Sequence, residues 1–240
     1  MAPAPKFSTE EQEKLILLAA VTAIEKSTLL DFSMSSIAKL AGLSMGSVYK
    51  FVQCKEDLLI ALATKMYQER HRIFSQVLSL PLTTPERIIA LSLLDCSKVQ
   101  MYSFDDQLES IVNTCAIRKR SSQRWLDSMY SCCDTCEAAF HHLLKTAIDT
   151  QELNASTSEM EQINIGAWSL TEGYFQIVRI HHGRKNQQDN ESQELKQLLA
   201  TDNVHILNLQ RFINSFDWQQ SISQADIEKV ARKLETLSLR

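Results

Sequence analysis

Apolar positions recur along this chain at intervals of three and four residues, the spacing that gathers side chains on one face of an α-helix. No stretch alternates strictly between apolar and polar residues with β-branched enrichment, so no strand is predicted. A first helix is predicted over 9–26, with Leu15, Leu18, Ala19 and Thr22, and Val21 nearby, as its apolar stripe. A short second helix follows Ser33, whose hydroxyl suits the N-cap, and turns Ile37, Ala38 and Ala41 inward. Gly42 ends it, because glycine tolerates the left-handed backbone beyond a helix C-terminus. Ser44 caps a third short helix through Phe51, and Lys55 opens a long fourth helix through Leu58, Leu59, Leu62 and Met66 to Leu78. Leu80-Pro81-Leu82-Thr83 interrupts the pattern. Thr84 is then expected to cap a fifth helix with Pro85 at its first position. Further helices are expected at about 104–117, 121–151, 157–182, 192–217 and 224–238, with a polar loop from Gly183 to Asn190. The chain is predicted to be all-α, with nine or ten helices in total.

Composition agrees with that pattern. Five glycines and four prolines in 240 residues leave few helix breakers. Hydrophobic residues at 44% and charged residues at 22% are the balance of a soluble globular chain. No apolar run reaches the roughly 18 residues that span a bilayer, and MAPAPKFSTEEQ lacks the basic and apolar halves of a secretory signal. A cytoplasmic protein without a membrane partner is expected. Its six cysteines then read as reduced thiols.

The net charge of −4 argues against a generally basic coat, so nucleic acid could be met only by a local basic surface. Residues 33–55, SMSSIAKLAGLSMGSVYKFVQCK, supply one: Lys39, Lys50 and Lys55 without an acid give +3. Ala41-Gly42-Leu43-Ser44 joins the two short helices as the tight turn of a helix-turn-helix does. Ile37, Ala38 and Leu43 would then pack on Val48 and Val52, four residues apart on one face, leaving Met45, Ser47, Tyr49 and Lys50 outward.

This segment resembles the TetR family of bacterial regulators. Ile16-Leu-Leu-Ala-Ala-Val-Thr-Ala-Ile24 is similar to the family's opening helix with its paired alanines. Ile37-Ala38 and Ala41-Gly42-Leu43-Ser44 fit the second helix and turn. Met45-Gly46-Ser47-Val48-Tyr49 fits the recognition helix, and Lys55-Glu56-Asp57-Leu58-Leu59 the start of the fourth. The match covers about 45 residues in order and spacing. It departs at Thr28, where glycine is usual, at Phe51 and Val52, where a polar ring and phenylalanine are common, and at Cys54, where serine, asparagine or glycine is usual. Leu143 to Leu153 and Ala167 to Gly173 bear a weaker likeness to late helices of the family's regulatory domain.

The resemblance implies a helix-turn-helix DNA-binding domain over 1–55 and a larger helical ligand-binding and dimerisation domain over 56–240. It implies a homodimer that represses from a palindromic double-stranded operator and is released by a small-molecule effector, without a cofactor. DNA-binding candidates are Ser35, Lys39, Ser44, Met45, Gly46, Ser47, Tyr49, Lys50 and Lys55. Met45 and Ser47, in the first turn of the third helix, would meet base edges with help from Ser35. Tyr49, Lys50 and Lys55 would meet phosphates, Lys55 beside a helix N-terminus that also attracts anions. Tyr102, Phe104, Trp125, Tyr130 and Trp168 are the effector-pocket candidates. Dimerisation is expected on helices 157–182 and 192–217, the second with the stripe Leu195, Leu198, Leu199, Ile206, Leu209 and Ile213. The alternatives are a helical protein-interaction adaptor and a constitutive repressor without ligand.

Other chemistry is weaker. Cys132-Cys133-Asp134-Thr135-Cys136 before His141-His142 could place two thiols on one helical face, but no second C-x-x-C completes a zinc set, and core packing is the simpler reading. His181-His182 suits a helix C-terminus. Asp105-Asp106 reads as a solvated helix start. No phosphate-binding glycine loop, G-x-S-x-G or H-E-x-x-H is present, so no enzyme is expected.

Overall fold

The structure, a computed structural model, describes residues 7–185 and 198–240, with residues 182–185 described by backbone alone. Among the described residues there are twelve helices. They are α1 (Thr9–Lys26), α2 (Met34–Ala41), α3 (Met45–Phe51), α4 (Lys55–Leu78), α5 (Thr84–Leu93), α6 (Cys96–Val99), α7 (Asp105–Val112), α8 (Cys115–Arg118), α9 (Gln123–Asp149), α10 (Thr157–Lys185), α11 (Val204–Ile213) and α12 (Gln224–Thr236). The described residues hold no strand beyond an isolated antiparallel bridge between Leu153 and Trp218.

The chain divides into two compact units. The first is Met1–Glu69 with Met101–Asp134, the second Arg70–Gln100 with Thr135–Arg240, and the long helices α4 and α9 contribute to both. The first unit therefore holds more than the expected domain over 1–55: the α1–α3 core continues into Leu58, Leu62 and Met66 of α4, Leu108 and Val112 of α7, and Trp125 and Met129 of α9. In the second unit Ile89 and Leu93 of α5, Leu144 of α9, Ile163 of α10, Ile206, Leu209 and Ile213 of α11, and Ile227, Val230 and Leu234 of α12 share one core.

Local chemistry explains most boundaries. Ser8 and Glu11 form a capping box at the start of α1, and Ser223 and Asp226 form another at α12. At α5 the cap is Thr83, not Thr84, because Glu86 reaches back to the Thr83 N–H and completes the box one residue earlier. The α1 stripe is also turned from its expected place. Ile16, Ala19, Ala20, Ala23 and Ile24 are buried while Leu18 is 67% exposed. The alanines let neighbouring helices approach, so the small residues and not the leucine define the inner face.

The expected helix over 104–117 is two helices, α7 and α8, parted at Asn113 and Thr114, where the Thr114 hydroxyl caps α8. Asp105 is not solvated: it is 3% exposed and accepts the N–H groups of Met101 and Tyr102 at 2.7 and 2.8 Å. α10 runs on to Lys185, past the expected start of the Gly183 loop, whose residues from 186 onward lie outside the described residues. His181 is exposed near that helix end. Residues 192–197 of the helix expected over 192–217, with Leu195, also lie outside. Within the described part the helix begins only at Val204, capped by Asn203. Its stripe is internal: Ile206, Leu209 and Ile213 are buried in the second unit's own core, while Leu198 is exposed.

Candidate nucleic-acid interface

The helix-turn-helix is built by short-range bonds. Ser33 Oγ accepts the Ser36 N–H at 3.1 Å and starts α2. Gly42 ends it at φ 64°, ψ 30°, and the Leu43 N–H then closes on the Ala38 carbonyl at 3.0 Å. Ser44 Oγ accepts the Ser47 N–H at 3.1 Å and starts α3. Ile37, Ala38, Val48 and Val52 are buried together with Leu43 packed on them, so two helices of eight and seven residues are held at a fixed angle.

That packing sets the outer face. Ser35, Lys39, Ser44, Met45, Gly46, Tyr49 and Lys50 are exposed, and Ser47 is half-buried with its hydroxyl 3.1 Å from that of Ser44. Ser35 Oγ lies 3.1 Å from Ser33 Oγ. A Cβ added to Gly46 would meet only Ser44 Oγ, at 3.7 Å, so the protein's own packing does not require glycine there. Lys55 differs from the other candidates. It is half-buried, its ammonium donates to the Leu30 carbonyl, and it lies 4.2 Å from the centre of the Phe32 ring.

Thr28, Phe51 and Cys54, three of the four residues that depart from the family pattern, each have a structural role. Thr28 Oγ1 accepts the N–H groups of Leu30 and Asp31 and donates to Asp31 Oδ2, shaping the α1–α2 turn without a glycine. Phe51 packs edge-on to Trp125, ring centres 5.0 Å apart, so it serves the core. Cys54 Sγ accepts the Asp57 N–H at 3.4 Å and donates to the Arg120 carbonyl at 3.3 Å. It thus takes the place of a hydroxyl N-cap on α4, and burial pushes its thiol pKa up.

Beside Cys54 is a connection that sequence reasoning missed. Asp57 is fully buried; Oδ2 accepts the Gln53 N–H at 2.9 Å, and Oδ1 accepts the Ser122 N–H at 2.7 Å and its hydroxyl at 3.0 Å. Glu56 pairs with Arg120 at 2.9 Å. The start of α4 is thereby fastened to residues more than sixty positions away, and no local pattern announces such a pairing.

The aromatic effector candidates are divided between the two units, Trp168 falling in the second and the others in the first. Tyr102, Phe104 and Trp125 belong to the first unit's core, with Tyr102 stacked on Phe104 at 5.3 Å and its pKa pushed to about 12 by burial and then by Asp105. Tyr130 is exposed on α9, and Trp168 on α10 is 63% exposed. A cleft of about 230 Å³ in the first unit has Glu13, Lys65, Gln68, Arg124 and Trp125 on its walls. That is below the ~300–1,000 Å³ of common small-molecule sites. Cys133 is exposed and Cys132 and Cys136 half-buried on α9; burial pushes the Cys132 and Cys133 thiols up, away from the reactive thiolate.

No family model matches this chain, and no curated protein matches its sequence. Solved structures do match. A TetR-family transcriptional regulator from Cytophaga hutchinsonii is 14% identical, with a TM-score of 0.56 over 90% of this chain and 100% of that one. FadR from Bacillus subtilis, a transcriptional regulator in complex with stearoyl-CoA, is 18% identical, with a TM-score of 0.52 over 72% of this chain and 89% of that one. AmtR from Mycobacterium smegmatis is 16% identical, with a TM-score of 0.52 over 100% and 99%. Identities this low bear on architecture alone. By that measure, the fold of this chain is the fold of the TetR-family transcriptional regulators.

Proposed function

We propose that this protein is a TetR-type transcription regulator that binds duplex DNA as a homodimer and is released by a small molecule. The observation that carries the reading is α3: Val48 is fully buried while Met45, Tyr49 and Lys50 on the same seven-residue helix are exposed. A short helix held by its inner face, with a methionine, a tyrosine and a lysine exposed on its outer one, suits the major groove. Gly46 fits the same reading, since a bare backbone there allows close approach to DNA. Met45 and Ser47 read base edges with help from Ser35, while Lys39, Tyr49 and Lys50 meet phosphates. Lys55 holds the α1–α2 turn and adds to the local positive field. Such a regulator acts in the compartment that holds the chromosome. No helix among the described residues is long and apolar enough to cross a membrane.

Selection from a random duplex library tests the reading. The expected result is enrichment of a twofold-symmetric sequence, bound with an affinity that falls steeply with salt. Ser47→Ala should change the selected sequence and leave the salt slope intact, whereas Lys50→Gln should lower the slope by about one. If the protein retains no duplex at low salt, the adaptor reading replaces this one.

Control by a small molecule rests on the helical mass outside the DNA-binding helices and on the ligand-bound FadR structure of similar fold. Coupling between effector and DNA is reciprocal, so DNA must weaken effector binding by the factor with which effector weakens DNA binding. Calorimetry with and without the selected duplex measures both.

A further inference from the structure

Residues 110–126 form a second acid-free basic stretch, with Arg118, Lys119, Arg120 and Arg124 giving +4. With +3 in residues 33–55 and −4 overall, the rest of the chain carries −11. The two stretches are far apart in sequence, yet both belong to the first unit.

Four bonds bring them together. The Arg120 carbonyl accepts from Cys54 Sγ, Arg120 Nε lies 2.9 Å from Glu56 Oε1, and Ser122 donates twice to Asp57. The Arg118–Arg120 turn is therefore seated on the first turn of α4, which three residues separate from the end of α3. It is also ordered in itself, because the Arg120 and Ser121 N–H groups both donate to the Ile117 carbonyl at 3.0 Å.

The charges at this end are sorted by exposure. The two carboxylates of the contact itself are hidden: Asp57 is fully buried with three donors on it, and the Glu56 side chain is 13% exposed and paired. Most of the cations at this end are open: the Arg120 side chain is 74% exposed and Lys119 and Lys50 are exposed, while Arg118 is half-buried with its guanidinium 3.9 Å from Cys115 Sγ. The surface left facing outward is positive and forked, and its turn needs little ordering to bind. Guanidinium forks match phosphate oxygens, and a preformed turn lowers the ordering cost of each contact.

We infer that the Arg118-Lys119-Arg120 turn is a second phosphate-binding element, meeting the DNA backbone beside the half-site that α3 reads. It rests on the DNA-binding reading above. The turn supplies affinity without sequence preference, because phosphates are alike at every base pair.

The test uses the full-length protein and the duplex selected with it. Arg120 is left in place because it pairs with Glu56; the variant is Arg118→Gln with Lys119→Gln. The slope of log affinity against log salt should fall by about two in this variant and by about one in Lys119→Gln alone. The selected sequence and the thermal midpoint should stay as in the wild type. Lys229→Gln with Arg232→Gln, exposed cations of α12, should leave the slope unchanged. An unchanged slope in the turn variants overturns the inference while leaving DNA binding by α3 standing. An equal fall in the α12 control overturns it as well, since it would reveal a long-range field and no contact. A wild type that binds no duplex overturns the DNA-binding reading and this inference together.

Discussion

His205 on α11 is 2% exposed, stacked on Tyr174 at 4.9 Å, tilted on Phe175 at 6.1 Å, and 3.3 Å from the Ser92 hydroxyl through Nε2. Burial holds its pKa down to about 4, so the folded protein keeps the ring neutral. Above the ordinary value of 6.5 the ring is neutral in both states and stability is complete. As pH falls from 6.5 to about 4 the unfolded chain takes a proton that the folded one refuses, and stability drops. The drop should amount to about 2–4 kcal/mol. Urea unfolding at pH 7.5 and 4.5 should show that loss in the wild type and a smaller one in His205→Gln; equal losses would mean the ring is hydrated. Side-chain identity alone did not mark His205, because a histidine's burial depends on what the neighbouring helices, here α5 and α10, place around it. The exposed face of α3, by contrast, followed from the positions of Val48 and Val52.

At the scale of elements, α10 and α11 meet at Gly166. A Cβ there would lie 2.1 Å from Phe212 Cζ, whose ring is itself packed edge-on to Phe216 at 5.3 Å. Glycine to alanine inside a helix is ordinarily stabilising by about 1 kcal/mol. At Gly166 the overlap reverses the sign, and Gly166→Ala should cost about 1–3 kcal/mol. Gly173 on the same helix has nothing within 4 Å of an added Cβ, so Gly173→Ala should keep the ordinary gain. Thermal melts of the two variants decide it, and equal shifts would refute the close approach. The helix itself was legible from its period; which of its glycines touches a neighbour was not.

At the scale of the molecule, burial inside the second unit changes where a dimer surface can lie. The α11 stripe is used within the chain, but α10 leaves Ile165, Trp168, Ile177 and Ile180 exposed. In the homodimer proposed above, these side chains are the apolar surface available to exclude water. Sedimentation at micromolar concentration should give twice the 27.3 kDa chain mass, and Trp168→Glu with Ile177→Glu should return it to one chain. A monomeric wild type would refute the homodimer.

The sequence by itself determined the helices with local signals: Ser33, Gly42 and Ser44 punctuate α2 and α3, and the residues between them follow an unambiguous period. These are effects of neighbouring atoms, and neighbours in sequence are visible in sequence. Only the tertiary structure decided that Asp57 would be buried under Ser122, that Lys55 would turn back to Leu30, and that Leu18 would face out while Ala20 faced in. Each of those outcomes depends on a distant segment supplying a donor, an acceptor or a surface. A one-dimensional pattern carries the tendency to bury, and the partner that accepts the burial is chosen by the fold.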